Sequence, residues 1–597
     1  SGHARPFAKL ADGTILGEGL GVTVIKRLDD AQRDGDQIYA VLNAIGTSSD
    51  GRGNAIYAPS DTGQAKCLRD AYEQAGVTPR DIDLVEAHGT GTKAGDATEI
   101  KAITEVYSQA SDDYSWAAIG SVKSMIGHTK AAAGSAGFIK AAMALHHKVL
   151  PPTIKVDEPA DILKPYSSPF YVNTEKRPWV SRMDGKPRRA ALSAFGFGGS
   201  NYHAVLQEYP QSAKPIDWDG KVQLIAISGD DANAIGKQLD ALDTTVEWNT
   251  LRTAAAESRK TFNNQANARL ILVIQQDQTD LAKLIKSAKT QLATDRKQWQ
   301  TPDGAFFGSG KQDGKLAVLF PGQCAQYTGM LRDLACQFPQ MLDALDLGNT
   351  TFGQIKPNEK LSDLIYPIPV FTDEHKAAQT AKLGDTRNTQ PALGAVSLGA
   401  WQVLQHFGIS ADFTAGHSFG ELVALHAAGR ITANDLMKLA LVRGQLMSQT
   451  GEGESKGSMM AVMLDKASVE SFLAEHKLDG LIVANHNSPQ QVVLSGPVDQ
   501  IDEAQKLLKA QKTRCKKLAV SSAFHSSFVS DAAQPFAQAL AEVDFAKTDV
   551  KVFANTTADS YPDDVNTCRD LLANQLAKPV LISWNRLQMM VVVLQSP

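Results

Sequence analysis

The sequence is poor in cysteine, in long apolar runs and in excess charge of either sign. Its 597 residues include five cysteines, and none of them forms a CxxC pair, which excludes a disulfide framework and a zinc cluster and indicates a reducing compartment. The longest apolar run, MMVVVL at 589–594, is far shorter than the roughly 18 residues of a membrane span. A net charge of −5 excludes the basic footprint of a nucleic-acid binder. We therefore expect a cytoplasmic protein that binds no metal ion, membrane or nucleic acid.

The composition is that of a soluble globular protein with several domains. Hydrophobic residues make up 43% of the chain and charged residues 21%, which is ordinary for folded domains. At roughly 150 residues per domain, the length predicts about three or four domains. The first residue is not methionine, and a strand-like segment lies shortly before the last residue. We expect the chain to be a piece of a longer protein.

Strand and helix patterns alternate along most of the chain, which predicts a multidomain α/β architecture. The segment GVTVIKRL at 21–28 is a predicted strand, and GQAKCLRDAYEQAG at 63–76 is a predicted helix. Breaks in the pattern divide the chain into domains at 1–207, 208–315 and 316–597. A smaller cluster of strands and helices, at about 457–520, lies inside the last domain.

One candidate nucleophile lies in DFTAGHSFGELVALHAAGR, which contains Gly416, Ser418 and Gly420 between a predicted strand and a predicted helix. In this G-x-S-x-G setting, the glycines permit a sharp turn that exposes the serine hydroxyl, and the helix N-terminus places amide dipoles beside it. In a chain of this length with 46 glycines, the bare pattern occurs by chance roughly one time in five, so the pattern alone is a weak signal. The strand and helix on either side therefore make Ser418 a candidate nucleophile.

A serine nucleophile needs a base within hydrogen-bond reach. Among the 13 histidines, His525 in SSAFHSSF is the leading candidate because small residues leave room around it. His417 and His426 are alternatives. A loop histidine with satisfied hydrogen bonds and no catalytic role is the other interpretation of His525.

Arg443 is the most informative charged residue. Leu436, Leu439, Ala440 and Met447 share a helical face with it, so the arginine belongs to an apolar stripe, and a charge there needs a partner. Two interpretations remain open, a structural ion pair and a bidentate fork for a substrate carboxylate. The second would anchor an acidic acyl group.

Six motifs of the last domain, in order, resemble the acyltransferase domain of type I fatty acid and polyketide synthases: FPGQCAQ, TQPALGA, AGHSFGE, LVRGQLM, ANHNSPQQVVLSG and AFHS. The resemblance implies that Ser418 is acylated from a coenzyme A thioester with His525 as its base. It also implies that Arg443 holds the free carboxylate of malonyl, and that the backbone carbonyl of Gln575 orients the histidine.

The same resemblance implies an oxyanion hole formed by the backbone amides of Gln323 and Phe419. The AFHS segment is similar to the version associated with malonyl rather than methylmalonyl. Cys324 departs from the family because glycine usually stands there, which raises the question whether its side chain crowds the oxyanion hole. A second departure is the tail LISWNRLQMMVVVLQSP, where an EVGP-like segment is expected.

The first domain resembles the second half of a β-ketoacyl synthase of the thiolase fold through ARPF, GEGLGV, EAHGTGT, GSVKSMIGHTKAAAG and SAFGFGGSNYHAVL. In that family, the equivalents of His88 and His128 face a cysteine thiolate during decarboxylative condensation, and the lysine at Lys123 tunes the site electrostatically. Phe195 would shape the acyl entrance, and Glu99 is expected to pair with Lys123.

The family's cysteine precedes ARPF, so we expect the nucleophile of His88 and His128 to be missing from this chain. Cys67, on a predicted helix, does not lie in the required motif, and His203 is expected to be structural. The segments IYAPSDTGQAK and SPFYVNTEKRPW most resemble the sequences of polyunsaturated fatty acid synthases and related iterative lipid synthases. Residues 208–315 would then be the linker between synthase and acyltransferase.

The resemblance therefore predicts a partial thiolase-like domain, an α/β linker and an α/β-hydrolase-like acyltransferase with a small ferredoxin-like insert. The predicted reaction is transfer of malonyl from malonyl-CoA to Ser418 and then to the phosphopantetheine thiol of a carrier protein, with no cofactor bound in the chain. In the intact protein the ketosynthase is expected to form a homodimer. Two alternatives remain, an α/β serine hydrolase and a docking module without catalytic activity.

Overall fold

The computed structural model describes residues 2–51, 58–196, 198–210, 220–310, 315–449, 457–518 and 523–581. The atypical tail at 582–597 and its apolar run lie outside the described residues. The chain divides into two compact units, one made of Ser1–Gln211 with Lys315–Pro597 and the other of Ser212–Gly314. The residues predicted as the first and third domains thus pack together in one unit. Within the described ranges, no helix is long and apolar enough to cross a membrane.

The N-terminal part is a mixed sheet flanked by helices. Strands β1 and β7 pair antiparallel with β8, whereas β2 pairs parallel with both β7 and β3, and β3 pairs parallel with β5, which gives the order β1-β8-β7-β2-β3-β5. The strands are β1 (Val41–Ser49), β2 (Leu84–Glu86), β3 (Ala117–Gly120), β4 (Val149–Leu150), β5 (Phe170–Val172), β6 (Arg177–Pro178), β7 (Arg189–Phe195) and β8 (Ser200–Gln207). The α-helices are α1 (Leu28–Asp34), α2 (Asp61–Ala75), α3 (Lys93–Ser108), α4 (Lys123–Ile126) and α5 (Ala133–His147).

The parallel strands bring two functional loops to one edge of this sheet. Because β2 and β3 run side by side in the same direction, the loops that follow them emerge at the same edge. His88 follows β2, and Lys123 begins α4 after β3. The sequence-distant motifs EAHGTGT and GSVKSMIGH therefore meet in space.

The predicted strand at 21–28 is wrong. Residues 17–27 form no regular structure, and α1 begins at Leu28. Leu20 is 91% exposed and Val24 is 95% exposed, so the apolar pattern has no sheet neighbour to pack on. A strand is stabilised by its neighbours' hydrogen bonds and cross-strand side chains rather than by its own pattern.

The middle unit is an antiparallel sheet with helices. Its strand order is β11-β12-β10-β9, and Leu270 and Leu272 of β10 are buried against the helices. This alternation of buried and less buried residues along β10 is the pattern of a half-buried strand. The elements are β9 (Val222–Gly229), α6 (Ala232–Asp240), α7 (Trp248–Thr261), β10 (Ala268–Gln275), α8 (Leu281–Leu292), β11 (Gln298–Gln300) and β12 (Ala305–Ser309).

The C-terminal part is built on a parallel sheet whose order is β13-β14-β19. Its strands are β13 (Ala317–Phe320), β14 (Phe413–Gly416), β15 (Gly457–Val462), β16 (Ile482–Ser488), β17 (Gln491–Pro497), β18 (Cys515–Lys517), β19 (Lys551–Phe553) and β20 (Val580–Leu581). Its α-helices are α9 (Arg332–Ala335), α10 (Pro339–Gly353), α11 (Leu361–Ile365), α12 (Asp373–Gly384), α13 (Thr386–His406), α14 (Gly420–Ala427), α15 (Ala433–Gln449), α16 (Lys466–Glu475), α17 (Val498–Ala510), α18 (Ala533–Ala541) and α19 (Val565–Asn574).

The small subdomain within this part is a β-α-β-β-α-β unit. Its elements run β15, α16, β16, β17, α17 and β18, and the strands pair antiparallel in the order β18-β15-β17-β16. This is the ferredoxin-like arrangement. The short strand β20 adds to the same sheet beside β16, so the sheet extends beyond the predicted range of about 457–520.

Buried and partly buried polar contacts join the N-terminal and C-terminal parts. Arg177 donates from Nε at 3.1 Å and Nη2 at 2.6 Å to the carbonyl oxygen of Tyr366. The hydroxyl of Ser181 donates to Asp346 at 2.7 Å. These bonds explain why the two parts belong to one compact unit.

Candidate active site

Ser418 occupies a sharp turn between β14 and α14. Its φ is 51°, a left-handed conformation that is costly for a residue with a side chain. A Cβ at Gly416 would lie 1.9 Å from the carbonyl carbon of Gly420, and one at Gly420 would lie 2.3 Å from the backbone oxygen of Phe320. Both glycines are therefore required by close backbone approach, as the G-x-S-x-G pattern predicts.

The serine hydroxyl contacts His525, the base predicted from the sequence. Oγ of Ser418 lies 2.7 Å from Nε2 of His525, and Nδ1 of the same ring lies 3.0 Å from the backbone oxygen of Gln575. Because a carbonyl only accepts, Nδ1 carries the proton and Nε2 accepts from the serine. Burial first, and then the charge of Arg443, lower the pKa of His525 to about 3. The ring is therefore neutral and ready to accept a proton.

The partner of His525 separates this site from a Ser-His-Asp hydrolase. In a hydrolase triad a carboxylate accepts from the histidine Nδ1. In the part of the chain that the structure describes, the partner of that nitrogen is a backbone carbonyl, that of Gln575. The hydrolase alternative is not favoured by this geometry.

Arg443 of α15 is directed at the nucleophile. Its side chain is 1% exposed, and Nη2 lies 3.3 Å from Oγ of Ser418. Nη1 donates to the side-chain oxygen of Gln390 at 2.9 Å, and Nη2 donates to that of Gln575 at 2.9 Å. Across the described residues, Arg443 forms no ion pair within 4.0 Å, so no carboxylate in direct contact supports the structural ion-pair interpretation. Burial is the main cause that lowers the Arg443 pKa to about 10.

Side chains whose roles the sequence analysis did not predict hold this arrangement in place. Asn555 accepts from the backbone N–H of Ser418 at 2.7 Å and donates to the carbonyl of Gly416 at 2.7 Å. The side-chain Nε2 of Gln575 donates to the carbonyl of Ser418 at 2.7 Å and to Glu421 at 2.8 Å. Glu421 also accepts from the hydroxyl of Tyr561. These bonds stabilise the strained turn of the nucleophile.

Part of this network was visible in the sequence. Glu421 and Gln390 lie within the quoted motifs AGHSFGE and TQPALGA, and a charged or amide residue on a buried helical face is a signal that a partner is needed. Asn555 and Tyr561 follow β19 without any such motif. Their distance along the chain from Ser418 hides them from local patterns.

Of the two predicted oxyanion-hole residues, one is next to the nucleophile in sequence and the other lies in a loop that packs against its turn. Phe419 directly follows Ser418, and a Cβ at Gly322 would lie 2.1 Å from the backbone oxygen of His417, which places the Gln323 loop against the turn. Among the described groups, neither the N–H of Gln323 nor that of Phe419 has a hydrogen-bond acceptor. Two free amides beside a serine are suited to bind a developing oxyanion.

Cys324 takes a positive φ of 82° and its side chain is exposed. Its backbone N–H donates to the side chain of Gln326 at 2.8 Å. An exposed side chain does not fill a buried oxyanion hole, so the departure from glycine affects the backbone conformation more than the space around Ser418.

The alternative histidines have other partners. His417 Nε2 lies 2.9 Å from the side-chain oxygen of Asn487. His426 Nδ1 lies 3.0 Å from the carbonyl of Ile431. Of the three candidates, the structure brings His525 to the hydroxyl of Ser418.

The N-terminal part gathers a second group of residues. The rings of His88 and His128 lie 5.4 Å apart between centroids, and the ring of Phe195 lies 5.9 Å from that of His88. The Nζ of Lys123 donates to the backbone oxygen of His88. Burial and the charge of Lys123 lower the pKa of His88 to about 3. All four predicted residues of this site therefore lie together.

Glu99 and Lys123 attract each other electrostatically, but the expected pairing is not a direct ion pair. The two oxygens of Glu99 accept from the backbone N–H groups of His88 and Gly89, each at 2.7 Å. Within the described residues, no ion pair joins Glu99 and Lys123. Backbone amides already satisfy the carboxylate, so Glu99 shapes the loop of His88, and burial raises the Glu99 pKa to about 7.

Cys67 and His203 are both buried and hydrogen-bonded, which indicates structural roles. The buried thiol of Cys67 donates to the carbonyl of Gly46 at 3.1 Å, and burial raises its pKa to about 12. His203 is buried between the hydroxyls of Ser193 at 2.9 Å and Tyr72 at 3.0 Å. Among the described residues, no group of three or more histidine, cysteine or acidic side chains is arranged to hold a metal ion.

Comparison with known proteins assigns both parts to families. Residues 39–157 match the family described as beta-ketoacyl synthase, C-terminal domain, and residues 163–258 match the ketoacyl-synthetase C-terminal extension. Residues 318–588 match the acyl transferase domain. The extension crosses the predicted domain boundary near 207.

The chain is also similar to individual proteins. It is 34% identical over 617 residues to a polyunsaturated fatty acid synthase protein of Thraustochytrium sp., covering 96% of this chain and 21% of that protein. It is 34% identical over 567 residues to the phenolphthiocerol synthesis polyketide synthase type I Pks15/1 of Mycobacterium marinum, covering 94% and 26%. The chain thus spans about a fifth to a quarter of the length of these relatives.

Among solved structures, the malonyl CoA-acyl carrier protein transacylase of Burkholderia pseudomallei is 32% identical to this chain. The match covers 46% of this chain and 88% of that chain, with a TM-score of 0.40. The family matches confirm both resemblances that the sequence motifs indicated.

Proposed function

The chain belongs to the type I polyketide and fatty acid synthases, with a β-ketoacyl synthase C-terminal domain and an acyltransferase domain, and we propose that the acyltransferase loads malonyl onto a carrier protein. The observation that carries the proposal is that one hydroxyl, Oγ of Ser418, contacts both His525 at 2.7 Å and Arg443 at 3.3 Å. A base and a buried cation therefore converge on one nucleophile.

The first half-reaction acylates the serine. Oγ of Ser418 attacks the thioester carbonyl carbon of malonyl-CoA while Nε2 of His525 takes the hydroxyl proton. The amides of Gln323 and Phe419 stabilise the oxyanion of the tetrahedral intermediate. The carbon–sulfur bond then breaks, and the coenzyme A sulfur takes the proton from His525. The products are a malonyl ester on Ser418 and free coenzyme A.

The second half-reaction transfers the group to a thiol. The phosphopantetheine thiol of an acyl carrier protein gives its proton to His525 and attacks the ester carbonyl. When the ester bond breaks, Ser418 recovers the proton from His525, and the malonyl group leaves as a thioester. The carbonyl of Gln575 keeps the imidazole oriented through both steps, because its bond to Nδ1 fixes the tautomer.

The acyl group is recognised by Arg443. A guanidinium presents paired donors that match a carboxylate, and this one is held by neutral amide oxygens rather than by a protein carboxylate. Its charge is therefore available to the free carboxylate of malonyl. An acetyl group has no free carboxylate with which this cation could pair.

The N-terminal group serves the condensation step of the synthase. His88 and His128 would face a cysteine thiolate supplied by another part of the ketosynthase, because Cys67 is buried and bonded to Gly46. We also propose, from the family, that the intact synthase is cytoplasmic and dimerises through this domain. Light scattering of the intact synthase tests the dimer.

A transfer assay with a small thiol tests the proposed function. The chain is incubated with malonyl-CoA and pantetheine, and malonyl-pantetheine is measured by chromatography against Ser418→Ala and His525→Ala variants. We expect product from the native chain and none above background from either variant. Equal product from Ser418→Ala would contradict a covalent mechanism through this serine. A folded native chain without product would favour a docking module.

A further inference from the structure

The buried cation of the acyltransferase lacks a direct counter-ion among the described residues. Arg443 is 1% exposed, and its terminal nitrogens donate to the side-chain oxygens of Gln390 and Gln575, which carry no charge. Removing a charge from water is costly unless an opposite charge compensates. The compensating charge must therefore lie beyond these two amides.

Glu421 lies on the other side of Gln575. Its side chain is fully buried at 0% exposure, and it belongs to the first turn of α14, directly after the nucleophile turn. Its carboxylate accepts from Nε2 of Gln575 at 2.8 Å, from the backbone N–H of Asn555 at 3.2 Å and from the hydroxyl of Tyr561. Neither half-reaction of acyl transfer uses this carboxylate.

A single amide thus separates the two buried charges. Gln575 accepts from Arg443 through Oε1 and donates to Glu421 through Nε2. The negative charge of Glu421 favours the protonated form of Arg443 across this amide. A malonyl carboxylate that binds Arg443 brings a second negative charge to the same buried space.

We propose that Glu421 is a specificity-determining residue of the acyltransferase, whose carboxylate competes with the malonyl carboxylate for the charge of Arg443. This inference rests on the proposed malonyl transfer and adds a second determinant to it. When Glu421 is neutral, the site carries an uncompensated cation and prefers an acidic acyl group. When Glu421 is ionised, that preference weakens, and loading of a neutral acyl group is affected less.

The groups that face Glu421 determine the pH range of this effect. Arg443 from α15 has its pKa lowered to about 10, and His525, which is bonded to the backbone of Gln575, has its pKa lowered to about 3. Burial raises the pKa of Tyr561, which precedes α19, well above its ordinary value. Burial also raises the pKa of Glu421 to about 7. Between about pH 6 and pH 8.5, Glu421 is therefore the member of this group whose charge changes.

The test is the ratio of kcat/KM for malonyl-CoA to that for acetyl-CoA, measured on one preparation at several values between about pH 6 and pH 8.5. Taking the ratio cancels the titration of the shared base and nucleophile. The native chain should show a ratio that falls by about three- to tenfold as the pH rises, because ionisation of Glu421 weakens the attraction for a carboxylate. A ratio that stays constant over this range overturns the proposal.

Glu421→Gln removes the charge and keeps a side chain of the same shape. Its amide can still accept from Gln575 and can donate to Tyr561, so we expect a ratio about three- to tenfold above that of the native chain at about pH 8.5, without pH dependence. A purely structural role would lower both rates together and leave the ratio unchanged. A role limited to orienting Gln575 would lower the ratio. Either result contradicts the proposal.

Two further variants keep the test independent of folding defects. Tyr561→Phe removes a hydrogen bond from the carboxylate without removing its charge, so the pH-dependent fall should persist and move to higher pH. Glu374→Gln, at an exposed position of α12, should leave the ratio and its pH dependence as in the native chain. Absence of any acylation of Ser418 would instead refute the proposed function, which separates the two failures.

Discussion

Ser418 and Asn555 are joined by a 2.7 Å hydrogen bond, in which the backbone N–H of Ser418 donates to the side-chain oxygen of Asn555 across 137 residues of sequence. The same asparagine donates to the carbonyl of Gly416 at 2.7 Å. Both partners are backbone groups of a turn whose central φ is 51°. Asn555 therefore compensates the strain of the nucleophile turn from the turn that follows β19, a different strand of the sheet.

Asn555→Ala should destabilise the acyltransferase and reduce acylation. The change leaves two buried backbone groups without partners, which costs about 1–3 kcal/mol each when unsatisfied. Urea unfolding monitored by circular dichroism measures the loss, and the rate of malonylation measures the effect on Ser418. Asn43→Ala, at an exposed position of β1, is the control. Stability unchanged from the native chain would contradict the role assigned to Asn555.

Arg443→Ala should reduce malonylation of Ser418 far more than acetylation. Loss of a charge-assisted hydrogen bond costs about 1.5–3 kcal/mol, so we expect malonyl transfer to fall roughly 10- to 100-fold relative to acetyl transfer. Rapid-quench mass spectrometry measures both rates. Arg430→Ala removes a second buried guanidinium, which is bonded to Pro562 and Cys568 outside the site, and should leave the ratio unchanged. An equal loss for both acyl groups in Arg443→Ala would disprove carboxylate recognition.

Acetylation of Ser418 should stay level as the pH falls from about 8 to 5. An ordinary histidine base, with a pKa near 6.5, would become protonated over this range and lose about tenfold in rate for each pH unit below that value. The His525 pKa is lowered to about 3 by burial, so the ring stays neutral and continues to accept the serine proton. Stopped-flow release of coenzyme A, with folding checked by circular dichroism at each pH, measures the profile. An inflection near the ordinary histidine value of about 6.5 that persists in Glu421→Gln would contradict the buried, neutral state of His525.

Cys324→Gly should leave acylation within about twofold and change stability by less than about 1 kcal/mol. Glycine relieves a left-handed backbone cost of about 1–2 kcal/mol, but it loses more conformational entropy on folding by about 0.5–1 kcal/mol. Cys324→Ser keeps the Cβ at φ 82° and separates the thiol from the backbone effect. A large gain in acylation rate for Cys324→Gly would show that the side chain does obstruct the oxyanion hole.

The sequence alone was sufficient to predict those site residues whose roles depend on local geometry. Ser418 could be predicted because two flanking glycines, a strand and a helix are all within a few residues of it. His525 and Arg443 could be proposed from the small residues around one and the apolar stripe around the other. Their mutual distance could not be predicted, because it depends on how α15 and the loop before α18 pack on the parallel sheet.

The incorrect and missing predictions have a common physical cause. Each feature depends on contacts with residues that are distant in the sequence. The segment at 21–28 has the composition of a strand but no neighbouring strand in the described structure. Glu99 was expected to pair with Lys123, yet the turn after β2 brings two backbone amides closer to it. Tyr561 contacts Glu421, which lies 140 residues away in the sequence. No periodic pattern in the sequence predicts that contact.

Intact mass spectrometry of the chain after brief incubation with malonyl-CoA, followed by peptide mapping, tests directly whether this is a malonyl-transferring site. We predict one malonyl adduct that maps to Ser418, is absent from Ser418→Ala and is strongly reduced in Arg443→Ala. An adduct that persists in Ser418→Ala, or a folded chain that acquires none, would contradict the assignment of Ser418, His525 and Arg443 to malonyl transfer.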